Sequence, residues 1–300
     1  MNATEKAFLD RNKLSASYLG EANRWFLPVI KKLRPMLKRR KQPLILGISG
    51  SQGSGKSALA DYLCTVVASQ LNLNALPISI DDFYHTKRTR KQLGRDIHPL
   101  LATRGVPGTH DIDLAMHVLD QLIDYSKDIL VPRFDKSIDD RCHINKFSRV
   151  SDALDLIVME GWCLGANAEK TENLRIDING LERDCDPYYI WREYVNNYIA
   201  GPYQKLFGYI DRWIMLRAPS FEQVCSWRLE QEQKLMEKHQ ISSIKTPHEI
   251  MNPEEINSFI QHYQRVTESI LNDLPKRVHH LYQLNEDRVI VAYSEPLPVN

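Results

Sequence analysis

Gly50-Ser-Gln-Gly-Ser-Gly-Lys-Ser57 fits the pattern G-x-x-x-x-G-K-[ST] at every fixed position. The apolar run before it, Pro43-Leu-Ile-Leu-Gly-Ile48, is typical of a buried strand. The residues after it are apolar at the spacing of one helix face, at Leu59, Tyr62, Leu63, Val66 and Val67. Strand, glycine-rich loop and helix in this order are the context in which the motif holds the phosphates of a nucleoside triphosphate.

The chemistry of the loop explains its ligand. Glycines let successive backbone N–H groups point inward around a phosphate chain, and the N-terminus of the following helix adds partial positive charge. We expect Lys56 to reach the outer phosphates and the Ser57 hydroxyl to bind Mg²⁺. The expected phosphate-binding residues are Gly50, Ser51, Gln52, Gly53, Ser54, Gly55, Lys56 and Ser57.

The composition is that of an ordinary soluble globular chain of 300 residues, 43% hydrophobic and 26% charged. A formal net charge of +1 provides no overall field to recruit nucleic acid or a membrane, so we expect neither partner. The five cysteines are scattered and include no C-x-x-C pair, which favours reduced thiols and a cytoplasmic location. No apolar run is long enough to cross a membrane, and we expect no secretory signal because Met1-Asn-Ala-Thr-Glu-Lys6 lacks the apolar core of one.

Strand-like and helix-like segments alternate along the chain. Residues 1–40 are predicted to form a helical extension that packs on the outside of the sheet. Further strands are predicted at 75–80, 153–159, 212–217 and 288–293, and helices at 113–125, 188–200, 220–240 and 253–272. This alternation indicates an α/β fold with a doubly wound, mainly parallel sheet flanked by helices, in which ligands bind beyond the carboxyl ends of the strands. We treat residues 1–300 as a single domain.

Acidic side chains follow two of the predicted strands. Asp81 and Asp82 come directly after the strand at 75–80, where a carboxylate can accept the proton of an attacking hydroxyl or hold Mg²⁺. The alternative is that either aspartate only caps a turn or the next helix. Glu160 directly follows the strand at 153–159 and is expected to hold Mg²⁺ or its water. The candidate metal ligands are Ser57, Asp81 and Glu160.

Two polar loops, 104–111 and 131–137, supply candidate cations for a transferring phosphoryl group or an anionic acceptor. The side chains concerned are Arg104, His110, Arg133 and Lys136. A third cation, Arg228, belongs to the helix predicted at 220–240 and is a candidate lid residue that closes over the phosphates. The Glu230–Lys234 pair in the same helix is equally typical of a plain surface helix.

Six segments, taken in chain order, resemble the D-glycerate 3-kinase family. They are GSQGSGKS, SIDDFYHT, RGVPGTHD, VPRFDKS, LIVMEGWCLG and WRLEQEQ, and they lie within about residues 43–235. The family belongs to the group of P-loop kinases that also contains phosphoribulokinase, uridine kinase and pantothenate kinase. GSGKS is shared by very many nucleotide-binding proteins, whereas RGVPGTHD with PRFDKS and EGW is far more restricted and selects this family.

The resemblance implies a P-loop kinase fold that uses ATP and Mg²⁺. It implies that ATP and Mg²⁺ are bound by Gly50, Gly53, Gly55, Lys56 and Ser57. It further implies that Asp81, rather than Asp82, is the general base, and that Glu160 is the acidic residue after the third strand. Roles in acceptor binding are implied for Arg104, His110, Arg133 and Lys136.

We therefore expect an ATP-dependent kinase that phosphorylates a hydroxyl of a small organic acid, and the resemblance selects D-glycerate, giving 3-phosphoglycerate and ADP. The expected catalytic side chains are Asp81, Asp82, Lys56 and Arg228. Three alternatives stay open. The first is a kinase of the same group acting on a nucleoside, pantothenate or a sugar phosphate, and the second is a P-loop ATPase or GTPase, although the absence of an N-K-x-D signature disfavours a GTPase. The third is a non-catalytic nucleotide-binding module. The oligomeric state stays open as well.

Overall fold

The computed structural model describes residues 2–125, 127–230 and 253–297, with the backbone only for 253–258. The strands are β1 Leu44–Gly50, β2 Ala75–Ser79, β3 Ile129–Val131, β4 Phe134–Asp135, β5 Asp140–Arg141, β6 Ser148–Val150, β7 Leu156–Gly161, β8 Arg212–Arg217, β9 His280–Leu284 and β10 Ile290–Ser294. Six of them form one sheet in the order β10-β9-β8-β1-β7-β2. All neighbours in it are parallel except the antiparallel pair β9–β10. The predicted mainly parallel α/β fold is confirmed.

Helices flank this sheet. They are α1 Ala3–Asn12, α2 Ser17–Trp25, α3 Leu27–Arg39, α4 Lys56–Leu71, α5 Lys87–Asp96, α6 Ile112–Ile123, α7 Thr171–Leu174, α8 Gly180–Cys185, α9 Ile190–Tyr198, α10 Gln204–Phe207, α11 at 221–230 and α12 Pro253–Asp273. The lid helix predicted at 220–240 corresponds to α11 over its first part, and residues 231–240 lie outside the described residues.

Strand β1 is central because every one of its residues is buried and both of its faces are covered. It pairs with β7 on one side and β8 on the other, so the carboxyl ends of all three strands meet at one edge of the sheet. The register places Ile48 opposite Glu160 and Ser49 opposite Gly161. The phosphate loop that follows β1 therefore lies beside Glu160.

The N-terminal helices are part of the main core rather than an outer layer on the sheet. Phe8 in α1 and Leu33 in α3 are both fully buried. The ring of Phe26, between α2 and α3, lies 4.9 Å from that of Tyr282 in β9, measured between centroids. Residues 1–40 thus form the predicted helices, and they pack on α4 and on the sheet, where they contribute buried side chains to the core.

The C-terminal strands differ from the prediction. The predicted strand at 288–293 is β10 at Ile290–Ser294, an edge strand. The strand that continues the parallel sheet is β9, which was not predicted from the sequence. His280 is nevertheless fully buried, with Nδ1 2.9 Å from the Tyr293 hydroxyl. Among the described residues, no helix combines the length and apolar character needed to cross a membrane.

Candidate active site

The phosphate loop has the backbone that its sequence requires. Gly53 and Gly55 have positive φ angles of 79° and 87°, in the region that glycine adopts without strain. A Cβ atom on Gly50 would lie 2.6 Å from the Ser54 hydroxyl, so the loop closes only around glycine. Helix α4 begins at Lys56 directly after the loop, and the first N–H groups of a helix have no partner within it, which suits them to binding phosphate.

Glu160 meets the loop at the start of α4. Its Oε1 accepts a hydrogen bond of 2.8 Å from the Ser57 hydroxyl, and its Oε2 lies 3.9 Å from Lys56 Nζ. The carboxylate is 5% exposed, and Oε2 has no hydrogen-bond partner within the described part of the chain. A buried carboxylate oxygen of this kind is an available ligand, since buried polar atoms are normally satisfied.

Asp81 lies in a short 3₁₀ turn, Ile80–Phe83, that follows β2. Its Oδ2 accepts a hydrogen bond of 2.7 Å from Lys136 Nζ. Burial alone would raise the pKa of Asp81, but the ammonium groups of Lys136 and Lys56 outweigh it and lower the pKa to about 2. The Asp81 carboxylate is therefore ionised at neutral pH and is flanked by two cations.

Asp82 has a different environment from its neighbour. Its Oδ2 accepts a hydrogen bond of 2.7 Å from Arg133 Nη1, and its Oδ1 accepts one of 3.2 Å from the Phe134 N–H. Burial raises the pKa of Asp82, and Arg133 opposes that shift. Arg133 also donates to the Ser148 hydroxyl. Asp82 thus attaches the loop 131–137 to the end of β2.

Two adjoining cavities open at this edge of the sheet, and both are lined by Lys56, Ser57, Asp81 and Lys136. The larger has a volume of about 370 Å³, within the range of small-molecule sites. Its wall includes two further cations, Arg104 and Arg228. The smaller is lined in addition by Asp82 and Glu160. The acidic and cationic groups therefore converge on one space above the phosphate loop.

Comparison with known proteins gives relatives over most of the chain, although no family model matches it. The Schizosaccharomyces pombe protein named uncharacterized kinase mug58 is 31% identical over 260 residues, covering 84% of this chain and 89% of that protein. The Saccharomyces cerevisiae protein named probable ATP-dependent kinase TDA10 is 28% identical over 255 residues, covering 78% and 79%. The structure of D-glycerate 3-kinase from Cryptococcus neoformans is similar with a TM-score of 0.73, at 22% identity, over 90% of this chain and 98% of that one.

This chain belongs to the same P-loop kinase family as mug58 and TDA10. The family that the sequence motifs indicated is thereby confirmed, and the structural likeness confirms the P-loop kinase fold. The names of these two relatives specify no acceptor, so the acceptor is inferred from the residues of the site.

Two of the predicted acceptor-binding residues of this family member do not reach the cavities. Arg133 is turned toward Asp82 and Ser148 and lines neither space. His110 is fully buried and stacks on Tyr84 with ring centroids 4.2 Å apart. The expectation that Arg133 and His110 bind the acceptor directly is corrected, because each side chain is held by protein groups behind the cavity wall.

His110 supports that wall as a neutral ring. Burial is the main cause that lowers its pKa to about 3, so the imidazole carries no charge at neutral pH. Its Nδ1 is hydrogen-bonded to the Tyr203 hydroxyl. Tyr84, on which it stacks, lines the larger cavity. His110 therefore positions Tyr84.

Sequence reasoning missed the aromatic wall of the larger cavity, which consists of Tyr84, Trp162, Phe259 and Tyr263. Trp162 donates its indole N–H to the Gly105 carbonyl, and the Tyr263 hydroxyl donates to the Arg104 carbonyl. Trp162 carried a signal, since it belongs to the restricted EGW motif. Phe259 and Tyr263 come from α12, beyond the segments that carry the resemblance, and gave none.

The donor atoms of the site fit Mg²⁺. The described residues contain no cluster of three or more His, Cys, Asp or Glu side chains able to hold a metal. Mg²⁺ usually keeps several waters and is bound by one or two carboxylates together with substrate phosphates. The Ser57 hydroxyl and Oε2 of Glu160, which accepts no hydrogen bond from the described residues, are oxygen donors placed beside the phosphate loop.

Proposed function

We propose that this protein transfers the γ-phosphoryl group of ATP to a hydroxyl of a small hydroxy acid. We propose further that the acid is D-glycerate and that the products are 3-phosphoglycerate and ADP. The observation that carries the proposal is the position of Asp81. Its ionised carboxylate lies between the phosphate-loop Lys56 and Lys136, where the two cavities meet.

The arrangement supports in-line phosphoryl transfer. The γ-phosphoryl group of ATP lies near Lys56 when its phosphates follow the loop, and a hydroxyl in the adjoining cavity then lies beside Asp81. Asp81 accepts the hydroxyl proton as the new P–O bond forms and the bond to ADP breaks. Because ATP attracts Lys56 and Lys136 toward its phosphates, we expect the pKa of Asp81 to rise in the loaded enzyme.

Charge stabilisation comes from side chains around the same space. Lys56, Lys136 and Arg228 line the larger cavity, where their positive charges would offset negative charge on the transferring group. Ser57 and Glu160 are the proposed Mg²⁺ ligands, and Asp81, the third candidate ligand from the sequence, is assigned the role of base instead. Bound Mg²⁺ supplies charge neutralisation at the phosphate oxygens.

The acceptor is inferred from the charge of the larger cavity. Arg104 and Lys136 present cationic groups on the side of Asp81, which suits an acceptor with a carboxylate. Arg104 is itself paired with Asp139 and packs 5.8 Å from the centroid of the Phe134 ring, so its guanidinium is held in a defined position. The fold likeness to D-glycerate 3-kinase is consistent with this choice, and the acceptor remains a proposal.

A panel of acceptors tests the proposal. ADP release from MgATP is measured with D-glycerate, L-glycerate, glycerol, pantothenate, uridine and no acceptor, and the product is assigned by phosphorus NMR. We expect D-glycerate to stimulate ADP release and the phosphate to appear on the 3-hydroxyl. Stimulation by pantothenate or uridine alone would replace the acceptor, and equal turnover without acceptor would favour an ATPase.

We also propose that the protein works in the cytoplasm on this small acid. All five cysteines are free thiols, and burial raises the pKa of Cys64 and of Cys163. Free thiols of this kind are typical of a reducing compartment.

A further inference from the structure

Arg90 is a buried cation that no step of the proposed reaction uses. It belongs to α5, and its side chain is fully shielded from solvent. Its Nε donates to the His85 carbonyl at 3.1 Å, its Nη1 donates to the Ala102 carbonyl at 3.2 Å, and its Nη2 donates to the Asp139 carbonyl at 2.6 Å. The guanidinium is a planar fork of N–H donors, so this one side chain holds three backbone segments together.

The three carbonyls that bind Arg90 lie close in sequence to residues of the larger cavity. One carbonyl is four residues after Asp81, one is two residues before Arg104, and one is three residues after Lys136. The side chains of Asp81, Arg104 and Lys136 all line that cavity, whereas Arg90 lines neither cavity of the active site. Arg90 therefore joins the three loops of the acceptor site from outside it.

The Asp139 carboxylate connects Arg90 to Arg104. Its Oδ1 lies 3.0 Å from Arg90 Nη2 and also accepts a hydrogen bond from Arg104 Nη1. The Cζ atom of each arginine lies 5.8 Å from the centroid of the Phe134 ring. The carboxylate thereby offsets the repulsion between two cations that lie over the same ring.

The contact with Asp139 leaves one edge of Arg104 for a ligand. Among the described residues, the Arg104 side chain donates hydrogen bonds only through Nη1. The Nε and Nη2 groups form another edge of the guanidinium, and such an edge binds a carboxylate through two parallel hydrogen bonds. Because Arg104 lines the larger cavity and is already fixed by Asp139, little side-chain freedom is lost when an acid binds to it.

We propose that Asp139 and Arg90 are positioning residues that fix Arg104 for the carboxylate of the acceptor and so set the affinity for that acid. The inference rests on the proposed transfer to a hydroxy acid and adds to it the residues that prepare the acid-binding arginine. Arg90 holds Asp139 through its carbonyl and its carboxylate, and Asp139 in turn holds Arg104.

Substitutions that preserve the backbone test this role. Asp139 has a φ of 53°, in the left-handed region that asparagine also adopts, so Asp139→Asn removes the charge without new strain. Asp128→Asn is the matched control, because Asp128 has a φ of 56° and pairs with Arg149 in an exposed ion pair. Arg90→Lys keeps the charge but loses the planar fork, and Arg88→Lys changes an exposed position of the same helix in the same way.

We expect Asp139→Asn to raise the KM for D-glycerate by about tenfold, because Arg104 then has to be ordered when the acid binds. The kcat and the KM for MgATP should stay nearly unchanged. Arg90→Lys should raise the KM for D-glycerate as well, and both control variants should behave as the unmodified protein does. Thermal unfolding checks that each variant is folded, and Asp139→Asn decides the outcome if Arg90→Lys does not fold.

A double-mutant cycle separates positioning from a merely structural role. Arg104→Met removes the acid-binding group and should itself raise the KM for D-glycerate. If Asp139 acts through Arg104, then adding Asp139→Asn to Arg104→Met should raise that KM no further, since the two residues form one interacting pair.

The outcomes distinguish this inference from the proposed function. Effects of Asp139→Asn and Arg104→Met that multiply in the double variant would overturn the positioning role, and so would an unchanged or lower KM for D-glycerate in Asp139→Asn alone. In both cases D-glycerate-dependent turnover by the unmodified protein would still support the kinase proposal. Absence of that turnover in the unmodified protein would overturn both the acceptor and the positioning role.

Discussion

Adjacent aspartates in this site have opposite surroundings. Asp81 lines the cavities and accepts a hydrogen bond from Lys136. Asp82 instead accepts hydrogen bonds from Arg133 and from the backbone N–H of Phe134. Asp81 lines both cavities, whereas Asp82 lines only the smaller one. Geometry thus favours Asp81 as the base.

The first prediction separates the two aspartates. Asp82→Asn loses the charge that pairs with Arg133, and the loss of such a charge-assisted bond costs about 1–3 kcal/mol of stability, toward the lower end because Arg133 is one-third exposed. We expect it to lower kcat moderately and the denaturant midpoint clearly. Asp81→Asn should abolish turnover and also cost some stability at neutral pH, because the lowered pKa of Asp81 means that its charge favours the folded state. Equal kinetic effects of the two changes would contradict the assignment.

The second prediction concerns Lys136. In the free protein, Lys136 lowers the pKa of Asp81 against the opposing effect of burial. Removing the ammonium in Lys136→Met should therefore raise that pKa, so that activity is lost at a higher pH as the carboxylate becomes protonated. The acid limb of kcat/KM for ATP, which reports on the free enzyme, should move to higher pH.

The same variant should bind the acid acceptor more weakly, by about 10- to 100-fold in KM, because a charged hydrogen bond is lost. Lys136→Arg keeps the charge and serves as the control, with the acid limb expected near its original position. An acid limb that is the same in Lys136→Met as in the unmodified protein would remove Lys136 from the control of Asp81.

At the scale of elements, the conformation of the loop 104–111 depends on the close approach of the Tyr263 side chain to Gly105. Gly105 has a φ of 142°, and a Cβ atom there would lie 2.1 Å from the Tyr263 hydroxyl. Gly105→Ala should destabilise the fold by about 1–3 kcal/mol through backbone strain and this clash, and should raise the KM of the acceptor. Chemical denaturation and steady-state kinetics measure the two effects.

Gly20→Ala is the matched control for this third prediction. Gly20 lies within α2 and a Cβ atom there would meet nothing within 4 Å. Alanine in a helix interior is more favourable than glycine by about 0.5–1 kcal/mol, so this variant should be as stable as the unmodified protein or more so. A Gly105→Ala variant as stable as Gly20→Ala would show that Tyr263 moves aside freely.

The elements nearest the phosphate loop were predictable because their signals are local. The apolar run of β1, the helix face of α4 and the strand β8 at Arg212–Arg217 all follow from residues close in sequence. The hairpins β3–β6 and β4–β5 are only two or three residues per strand, which is too short for a periodic pattern. Strand β9 was missed because its burial is decided by neighbours rather than by its own sequence.

Site residues were predictable where a short motif specifies them, as in the phosphate loop. They were less predictable where the direction of a side chain depends on a hydrogen-bond partner far away in the sequence. Arg133 was expected to face the acceptor, but its partner Asp82 lies 51 positions away. His110 was expected to bind the acceptor, but its partner Tyr203 lies 93 positions away. A polar side chain in a glycine-rich loop indicates a site, whereas its direction depends on contacts that one sequence does not reveal.

At the scale of the whole molecule, the two ends of the chain are joined. The Tyr282 hydroxyl of β9 donates to the Trp25 carbonyl, and Lys32 pairs with Glu295. The N-terminal helices therefore pack against the side of the sheet that β9 forms. This explains why residues 1–40, which carry none of the family motifs, are built into the core.

The fourth prediction follows from that packing. Leu33 in α3 is fully buried, so Leu33→Ala should destabilise the protein by about 2–5 kcal/mol, as large-to-small changes in cores do. Lys31→Ala, at an exposed position of the same helix, should be nearly neutral. Denaturant unfolding compares the two. If Leu33→Ala were as stable as Lys31→Ala, the N-terminal layer would not belong to the cooperative core.

The central claim is that ATP held over Lys56 delivers its terminal phosphoryl group to an alcohol activated by Asp81. The most direct measurement follows label from the γ-phosphoryl group of ATP into D-glycerate, with the unmodified protein and with Asp81→Asn, after both are shown to bind MgATP. The account predicts labelled 3-phosphoglycerate from the unmodified protein and none from the variant. Label found only in free phosphate, or equal transfer by both proteins, would contradict it.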